Sequence, residues 1–458
     1  MDGGFDLGVA QAAFDALEGE EAPPDLAERR GNLSRLRAEL RARAEDLARA
    51  VDADFGGRPR VETMLAEVGL VLAHLDWTSR RLKGWMRPRR VALPPEYWPA
   101  KARVERVPLG RVAILGPWNY PVQITLLPLV AALAGGNRVI LKPSEHAART
   151  ADCLAGMLGR ALPGPVRVVQ GGAEVARAIA SLPLDGLFFT GSTETGRRVA
   201  EAAAPNLVPL TLELGGKSPA ILLPDADLGQ AAASIMAGKL FSAGQTCVAP
   251  DYLLVPRART EEVVETLRVA TRRLYPDPSG PDYAALLRPG SRERLLSLLE
   301  GQRPVPLMDP MPEAPKLGAW AVLDPDPASP VMMEEIFGPV LPILPYDAVE
   351  EAVAFVGERP CPLALYVYGR SAATCEDVVA RTRSGGAMIN DCIVHVAAHS
   401  LPFGGAGASG MGAYHGEEGF RAFTRPRSVM VAPRWMPARL VRPPYGAQVA
   451  RIVRLMLR

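Results

Sequence analysis

One cysteine sits in a small, polar, glycine-bearing segment: Ser242-Ala243-Gly244-Gln245-Thr246-Cys247-Val248-Ala249-Pro250-Asp251. A thiol in such a setting can be exposed as a thiolate nucleophile, whereas most free cysteines are inert, core-like residues. Company separates the two cases. Glu213 ends an apolar run 34 positions earlier, in Leu212-Glu213-Leu214-Gly215-Gly216-Lys217-Ser218-Pro219, which supplies a base to go with the nucleophile. The GGKS of that stretch is not a phosphate-binding loop, because Thr211 stands where the spacing needs glycine, so ATP chemistry is disfavoured.

Three more turns follow strand-like runs. Leu115-Gly116-Pro117-Trp118-Asn119-Tyr120-Pro121 places an amide, Asn119, between two aromatics, where ligands bind if the preceding strand is parallel. Trp118 and Tyr120 could equally be packing, or could suit an aromatic or long apolar substrate. In Leu141-Lys142-Pro143-Ser144-Glu145 a lysine and a carboxylate lie three apart. They could grip a ribose, the carboxylate accepting from a 2′-hydroxyl and disfavouring a 2′-phosphate, while Ser144 has the make-up of a helix cap. In Phe189-Thr190-Gly191-Ser192-Thr193-Glu194-Thr195-Gly196 a strand meets a helix through glycine, so free N–H groups and a positive helix end could face a pyrophosphate. Each turn is weak alone; the combination is specific.

These turns need strands to carry them. RVAIL (111–115), RVILK (138–142), VRVVQ (166–170) and GLFFT (186–190) alternate with amphipathic segments, the pattern of a doubly wound parallel sheet. Before them, Leu33, Leu36, Leu40, Ala44, Leu47 and Val51 recur at helical spacing, and a second helix is expected over about 60–84, both as outer cover helices. After Pro219 the alternation restarts with PAILL, a helix from Asp227 to about Phe241, and YLLV, as a second α/β domain would. The Pro-rich segment 303–330 reads as an irregular surface connection.

Composition closes off other classes. The chain has 458 residues, 48% apolar and 22% charged, with 52 basic against 50 acidic residues. That size allows two or three domains, and the balance excludes a globally basic nucleic-acid binder. Only six basic residues are lysine, among them Lys142 and Lys217. The five cysteines form no CxxC pair, which argues against zinc, any other metal centre and a disulfide scaffold, and for a reducing compartment. The acidic N-terminus lacks the pattern of a secretion signal, and no run approaches 18 apolar residues. A cytoplasmic enzyme is the expectation.

The segments PWNYP, LKPSE, FFTGSTETGRRV, LTLELGGKSP, GQTCVAPDY, EEIFGPVLPI and HSLPFGGAGASGMGAYHGEEGF occur in an order that resembles the aldehyde dehydrogenase superfamily from about Glu105 to Val429. APDY and SGMGAYHG look most like its class 3 branch, and GKLFSAGQTC resembles the bacterial coniferyl-aldehyde-dehydrogenase-like group. The resemblance implies an α/β fold: a Rossmann-type NAD-binding domain (1–94 and 108–213, with the cover helices), a catalytic domain (214–420), a small β bridging arm for a homodimer (95–107 and 421–436) and a basic tail (437–458). It implies NAD(P)-dependent oxidation of an aldehyde, aromatic or medium to long in chain, to the acid through a cysteine thioester. Cys247 would be the nucleophile, and Asn119 with the Cys247 N–H would hold the oxyanion. Glu213 would activate the hydrolytic water. Glu335 would bond the nicotinamide ribose, with Phe337 near the ring. Lys142 and Glu145 would hold the adenosine ribose and Ser192 the pyrophosphate, with Pro117, Trp118, Gly191, Gly196, Leu214 and Gly215 completing the cofactor site. Glu145 points to NAD, with NADP open.

Two departures stand out: Ser242 occupies a position that is Asn in many class 3 relatives, and LGAWAVLDPDPASP lacks the usual Pro-Thr pair. Rival readings are a CoA-acylating enzyme, against which Glu213 argues, a catalytically silent relative, and a nucleotide-binding module. In the tail, Val449, Ile452, Val453 and Met456 share one helical face and Arg451, Arg454 and Arg458 another. Such a helix could touch a membrane surface weakly or pack on a subunit neighbour.

Overall fold

The computed structural model describes residues 3–17 and 22–457. Two large sheets dominate. The first has six strands in the order Gly410–Met411, Leu210–Leu214, Gly186–Gly191, Arg111–Leu115, Arg138–Lys142, Val166–Val168. All pair in parallel except Gly410–Met411, which runs antiparallel to Leu210–Leu214. Val112, Ala113, Ile114, Val139 and Ile140 are fully buried, as expected when helices cover both faces of a parallel sheet. One face carries the helix Gln123–Gly135, buried at every residue; a helix apolar all round needs cover on all sides.

That cover comes from the N-terminal helices. Asp25 caps Leu26–Ala42, its side chain accepting from Glu28 N, and Ala44–Phe55 ends on Gly56 at φ 68, a left-handed stop that glycine takes without strain. Leu33, Leu36, Leu40, Leu47 and Val51 are all buried. The next helical stretch is broken: Arg60–Thr63 passes through a π-helical turn, Met64–Gly69, into Leu70–Trp85. Such turns cluster at functional sites.

The second sheet has seven strands in the order Pro304–Pro306, Trp320–Leu323, Val340–Tyr346, Tyr252–Pro256, Pro219–Leu222, Ala364–Tyr368, Gly386–Ile389. The 303–330 segment is therefore not an irregular connection. It supplies two strands at the sheet edge, and Leu307, Met308, Leu317 and Ala319 are buried there. Proline removes ladder donors but is tolerated on an edge strand, which is why the Pro-rich texture misleads. A third, antiparallel sheet joins Arg89–Val91, Lys101–Pro108 and Thr424–Val431, the last two paired from Lys101 opposite Val431 to Pro108 opposite Thr424. The tail ends in a helix, Ala447–Met456, with Val449 and Ile452 half-buried and Arg451 and Arg454 exposed. Among the described residues no helix is long and apolar enough to cross a membrane.

Candidate active site

The carboxyl ends of the six-stranded sheet open into a cavity of about 1160 Å³ whose walls also include Cys247, Glu335 and Phe337. Of the residues singled out in the sequence, Pro117, Trp118, Asn119, Lys142, Glu145, Gly191, Ser192, Glu213, Leu214 and Gly215 line it as well. Gly196 does not. It sits one turn into the helix Thr193–Ala203, where a Cβ would meet Leu214 Cδ2 at 2.5 Å, so its smallness lets that helix pack on the strand end. Ser192 is both lining and cap: its Oγ accepts from Thr195 N at 3.2 Å. Tyr120 packs instead of lining, its ring stacked on Phe241 with centroids 6.4 Å apart.

The nucleophile segment has an unusual backbone. After the helix Leu228–Leu240, Ser242 and Ala243 take φ 52 and 51, and Gly244 takes φ 78. Two non-glycine residues in succession in the left-handed region cost roughly 1–2 kcal/mol each. Their surroundings hold them there. Gln245 Nε2 donates to Ser242 O at 3.0 Å and Ala285 O at 2.9 Å, and its Oε1 accepts from Leu287 N at 3.0 Å. Gly244 has no alternative, because a Cβ would meet Gly338 O at 2.4 Å. Two bonds tie this loop to the Asn119 turn. Asn119 Nδ2 donates to Gln245 O at 3.1 Å, leaving its second N–H uncommitted, and the hydroxyls of Tyr120 and Thr246 lie 2.7 Å apart.

The charges facing the thiol are negative or latent. Glu213 is buried and, among the described residues, neither carboxyl oxygen has a hydrogen-bond partner; burial holds it well above the usual carboxylate range. Burial, with the charge of Asp251 added, pushes Glu335 up to about 8. Cys247 keeps part of its surface open to the cavity, yet burial first and then Glu335 and Glu213 push it up to about 12. The resting site therefore holds a thiol. Alkylation by iodoacetamide should be slow at neutral pH and rise roughly tenfold per pH unit below the thiol's pKa, since only the thiolate reacts. Glu335→Gln removes a charge that disfavours the thiolate and should speed labelling at pH 9. Fast, pH-independent labelling near pH 7 would contradict this electrostatic picture.

At the far end Lys142 Nζ lies 2.7 Å from Glu145 Oε2, the lysine buried and the carboxylate half-exposed. Glu335 comes so close to Gly215 that a Cβ there would meet Oε2 at 2.0 Å, so a larger residue would have to displace the Glu335 carboxyl. Phe337, at φ 50, sets its ring edge-on to Trp118 with centroids 5.3 Å apart. The donor set suits a dinucleotide: a Lys-Glu pair for vicinal hydroxyls, a helix start for a diphosphate, and a buried carboxyl for a second ribose. Lys217 plays a different part from Lys142. Its Nζ reaches Asp251 and donates to Val331 O at 2.9 Å and Glu334 O at 2.8 Å, while Ile336 N donates to Asp251 Oδ1 at 3.2 Å. It is a strut for the Glu335 segment.

Sequence reasoning missed three buried residues behind the site, Arg58, Glu62 and Glu67, and the cavity-lining Arg288 and Arg294. A glutamate, a threonine and a proline around two arginines read as surface; only the pairing across 55 to 180 residues reveals their burial.

Residues 8–429 match the aldehyde dehydrogenase family. The chain is 43% identical over 437 residues to a probable coniferyl aldehyde dehydrogenase of Pseudomonas aeruginosa, covering 94% of this chain and 92% of that protein. It is 37% identical over 427 residues to the dimeric NADP-preferring aldehyde dehydrogenase of Canis lupus familiaris, covering 93% of each. A solved structure of the substrate-bound state of Staphylococcus aureus AldH superposes with a TM-score of 0.91 at 33% identity, covering 99% of both chains.

Proposed function

The chain belongs to the aldehyde dehydrogenase family, and from that premise we propose how its residues divide the work. It is an enzyme that oxidises an aldehyde to the carboxylic acid with a nicotinamide cofactor. The observation that carries the residue assignment is the convergence of Cys247, Asn119 and an unpartnered Glu213 on one cavity.

Cys247, which keeps part of its surface open to the cavity, gives its thiol proton to solvent water and adds as thiolate to the aldehyde carbonyl. The oxyanion that forms is held by the free N–H of Asn119 and the backbone N–H of Cys247; a donor of this kind is worth about 10²–10³ in rate. A bare aldehyde loses hydride poorly, whereas the tetrahedral thiohemiacetal expels it as its alkoxide collapses to a thioester. The nicotinamide cofactor, when bound, supplies the electron acceptor for that oxidation. Lys142 and Glu145 would hold one ribose, Glu335 the other, and the start of the helix Thr193–Ala203, with Ser192, the diphosphate. Glu213 then takes a proton from water attacking the thioester. A buried carboxyl with a raised pKa is a stronger base than an ordinary one, once ionised.

We assign an aromatic aldehyde as substrate. The cavity walls include Phe403, Tyr414, Leu363 and Ile124, and the Pseudomonas relative is named for coniferyl aldehyde. A panel of short aliphatic, long aliphatic and aromatic aldehydes, read by NADH release, should give the highest kcat/KM for an aromatic member. Preference for short aliphatic aldehydes would refute the assignment. Glu145 supports NAD over NADP. The three-stranded sheet, with Thr424–Val431 at its free edge, is where we place a homodimer contact, with the basic tail packed on the neighbouring subunit.

A further inference from the structure

Three charged side chains are buried together behind the site with no assigned purpose. Arg58 is 2% exposed, Glu62 8% and Glu67 0%. The guanidinium lies between the rings of Phe55 and Tyr120, 4.8 and 4.6 Å from their centroids. Arg58 Nη1 donates to Asn119 O at 2.9 Å and lies 3.0 Å from Glu67 Oε1, close as a charge but not aligned as a hydrogen bond. Glu62 Oε2 is 3.9 Å from Arg58 Nε.

Each carboxylate has a backbone target on a different catalytic segment. Glu67 Oε2 accepts from Val122 N at 2.7 Å and Gln123 N at 3.3 Å, capping the helix that follows the Asn119 turn. Glu62 Oε2 accepts from Ser242 N at 3.2 Å, at the head of the left-handed run that leads to Cys247. Glu62 and Glu67 are five residues apart, about 140° around an ideal α-helix. The π-turn Met64–Gly69 closes five residues per hydrogen bond, bringing Glu67 back towards Arg58 and Glu62. Burying three charges is costly unless they are satisfied together, so the cluster asks for a reason beyond stability.

We propose that Arg58, held by Glu62 and Glu67, is a positioning residue that fixes the Asn119 turn and the Cys247 loop relative to one another, and so sets the spacing of the two oxyanion donors. The proposal rests on the assignment of those donors above. The loop is anchored through the Ser242 backbone by Glu62, while among the described residues the Ser242 hydroxyl has no hydrogen-bond partner. Arg58 touches no reacting atom; it acts through Asn119 O. A shift of about 1 Å in a reacting geometry can cost on the order of 10²-fold, which sets the scale of the effect.

A double-mutant cycle in the full-length enzyme tests this, using the rate of the first-turnover NADH burst with NAD and benzaldehyde. Arg58→Met should slow the burst about 10²-fold, with the KM for aldehyde within about threefold of wild type. Combined with Asn119→Ala it should be no slower than Asn119→Ala alone, because both changes remove the same donor geometry. Glu62→Gln, which keeps an acceptor for Ser242 N, should retain most of the rate. If Arg58→Met does not fold, the cycle is run with Arg58→Lys, which keeps the charge but not the fork, and the same non-additivity is expected. Losses that multiply in the double variant, or a wild-type burst in folded Arg58→Met beside a slow Asn119→Ala, overturn the clamp. A wild-type burst in Asn119→Ala overturns instead the donor assignment beneath it.

Discussion

Cys247→Ser is expected to lower NADH production from any aldehyde by at least on the order of 10⁴-fold, the scale on which removing a nucleophile abolishes covalent catalysis. The two side chains differ by one atom and the loop would keep its shape, since Gln245 and Gly244, not the thiol, hold it. The loss would therefore be chemical. A serine hydroxyl in this site is a far weaker acid than the thiol, and the surroundings already disfavour an anion: Cys247 itself is pushed up to about 12 by burial, Glu335 and Glu213. Among the described residues no histidine or lysine is hydrogen-bonded to Cys247 to take a proton. Binding of NAD, measured by quenching of protein fluorescence, should be unchanged, because Lys142, Glu145 and Glu335 remain. Turnover within tenfold of wild type would remove Cys247 from the mechanism.

Much of this site can be read before any coordinates, and the reason lies in particular residues. Arg111–Leu115 and Arg138–Lys142 are buried on both faces, so their apolar runs are continuous and their ends obvious; Asn119 and Glu145 follow directly. The motif order then gathers Cys247, Glu213 and Glu335 on one cavity. What stays hidden depends on partners far along the chain. Nothing local distinguishes Lys142, which lines the cavity, from Lys217, which braces the Glu335 segment through Asp251. Arg58 and Glu62 at helical spacing look like an ordinary exposed ion pair, and the π-turn that turns Glu67 inward leaves no signature in residue type. Gly196 matches a ligand motif yet serves packing against Leu214.

The raised lysine scarcity of the chain gains meaning from the same contrast. Lys142, Lys217 and Lys239 are all largely buried, and each meets a carboxylate in a space suited to a compact ammonium. An arginine at these positions would bring a planar, broad guanidinium fork in place of a compact ammonium, so Lys142→Arg is expected to raise the dissociation constant for NAD. Arginine appears inside the core at Arg58 and Arg29, where carbonyls lie within reach of the guanidinium: Asn119 O for Arg58, Pro24 O and Ala134 O for Arg29.

Glu213→Gln separates the two halves of the reaction. If Glu213 serves only the hydrolytic water, the variant still forms the thioester, and the first turnover should release NADH in a burst equal to the enzyme concentration. Steady-state turnover should then fall by about 10²–10⁴, the usual contribution of a positioned general base. The expectation draws on two properties of the carboxyl. Among the described residues it has no hydrogen-bond partner, so glutamine replaces it without breaking a network, and its burial holds it well above the usual carboxylate range. The second property also predicts how wild type behaves: deacylation needs the ionised form, so kcat should rise with pH as Glu213 loses its proton, and Glu213→Gln should lose that rise. Glutamine never becomes negative beside Cys247, whereas an ionised Glu213 disfavours the thiolate, so the burst itself should be no slower than in wild type at any pH. A burst that vanishes together with turnover would place Glu213 in thioester formation, as the base that activates Cys247, and would end the division of labour proposed for the two residues.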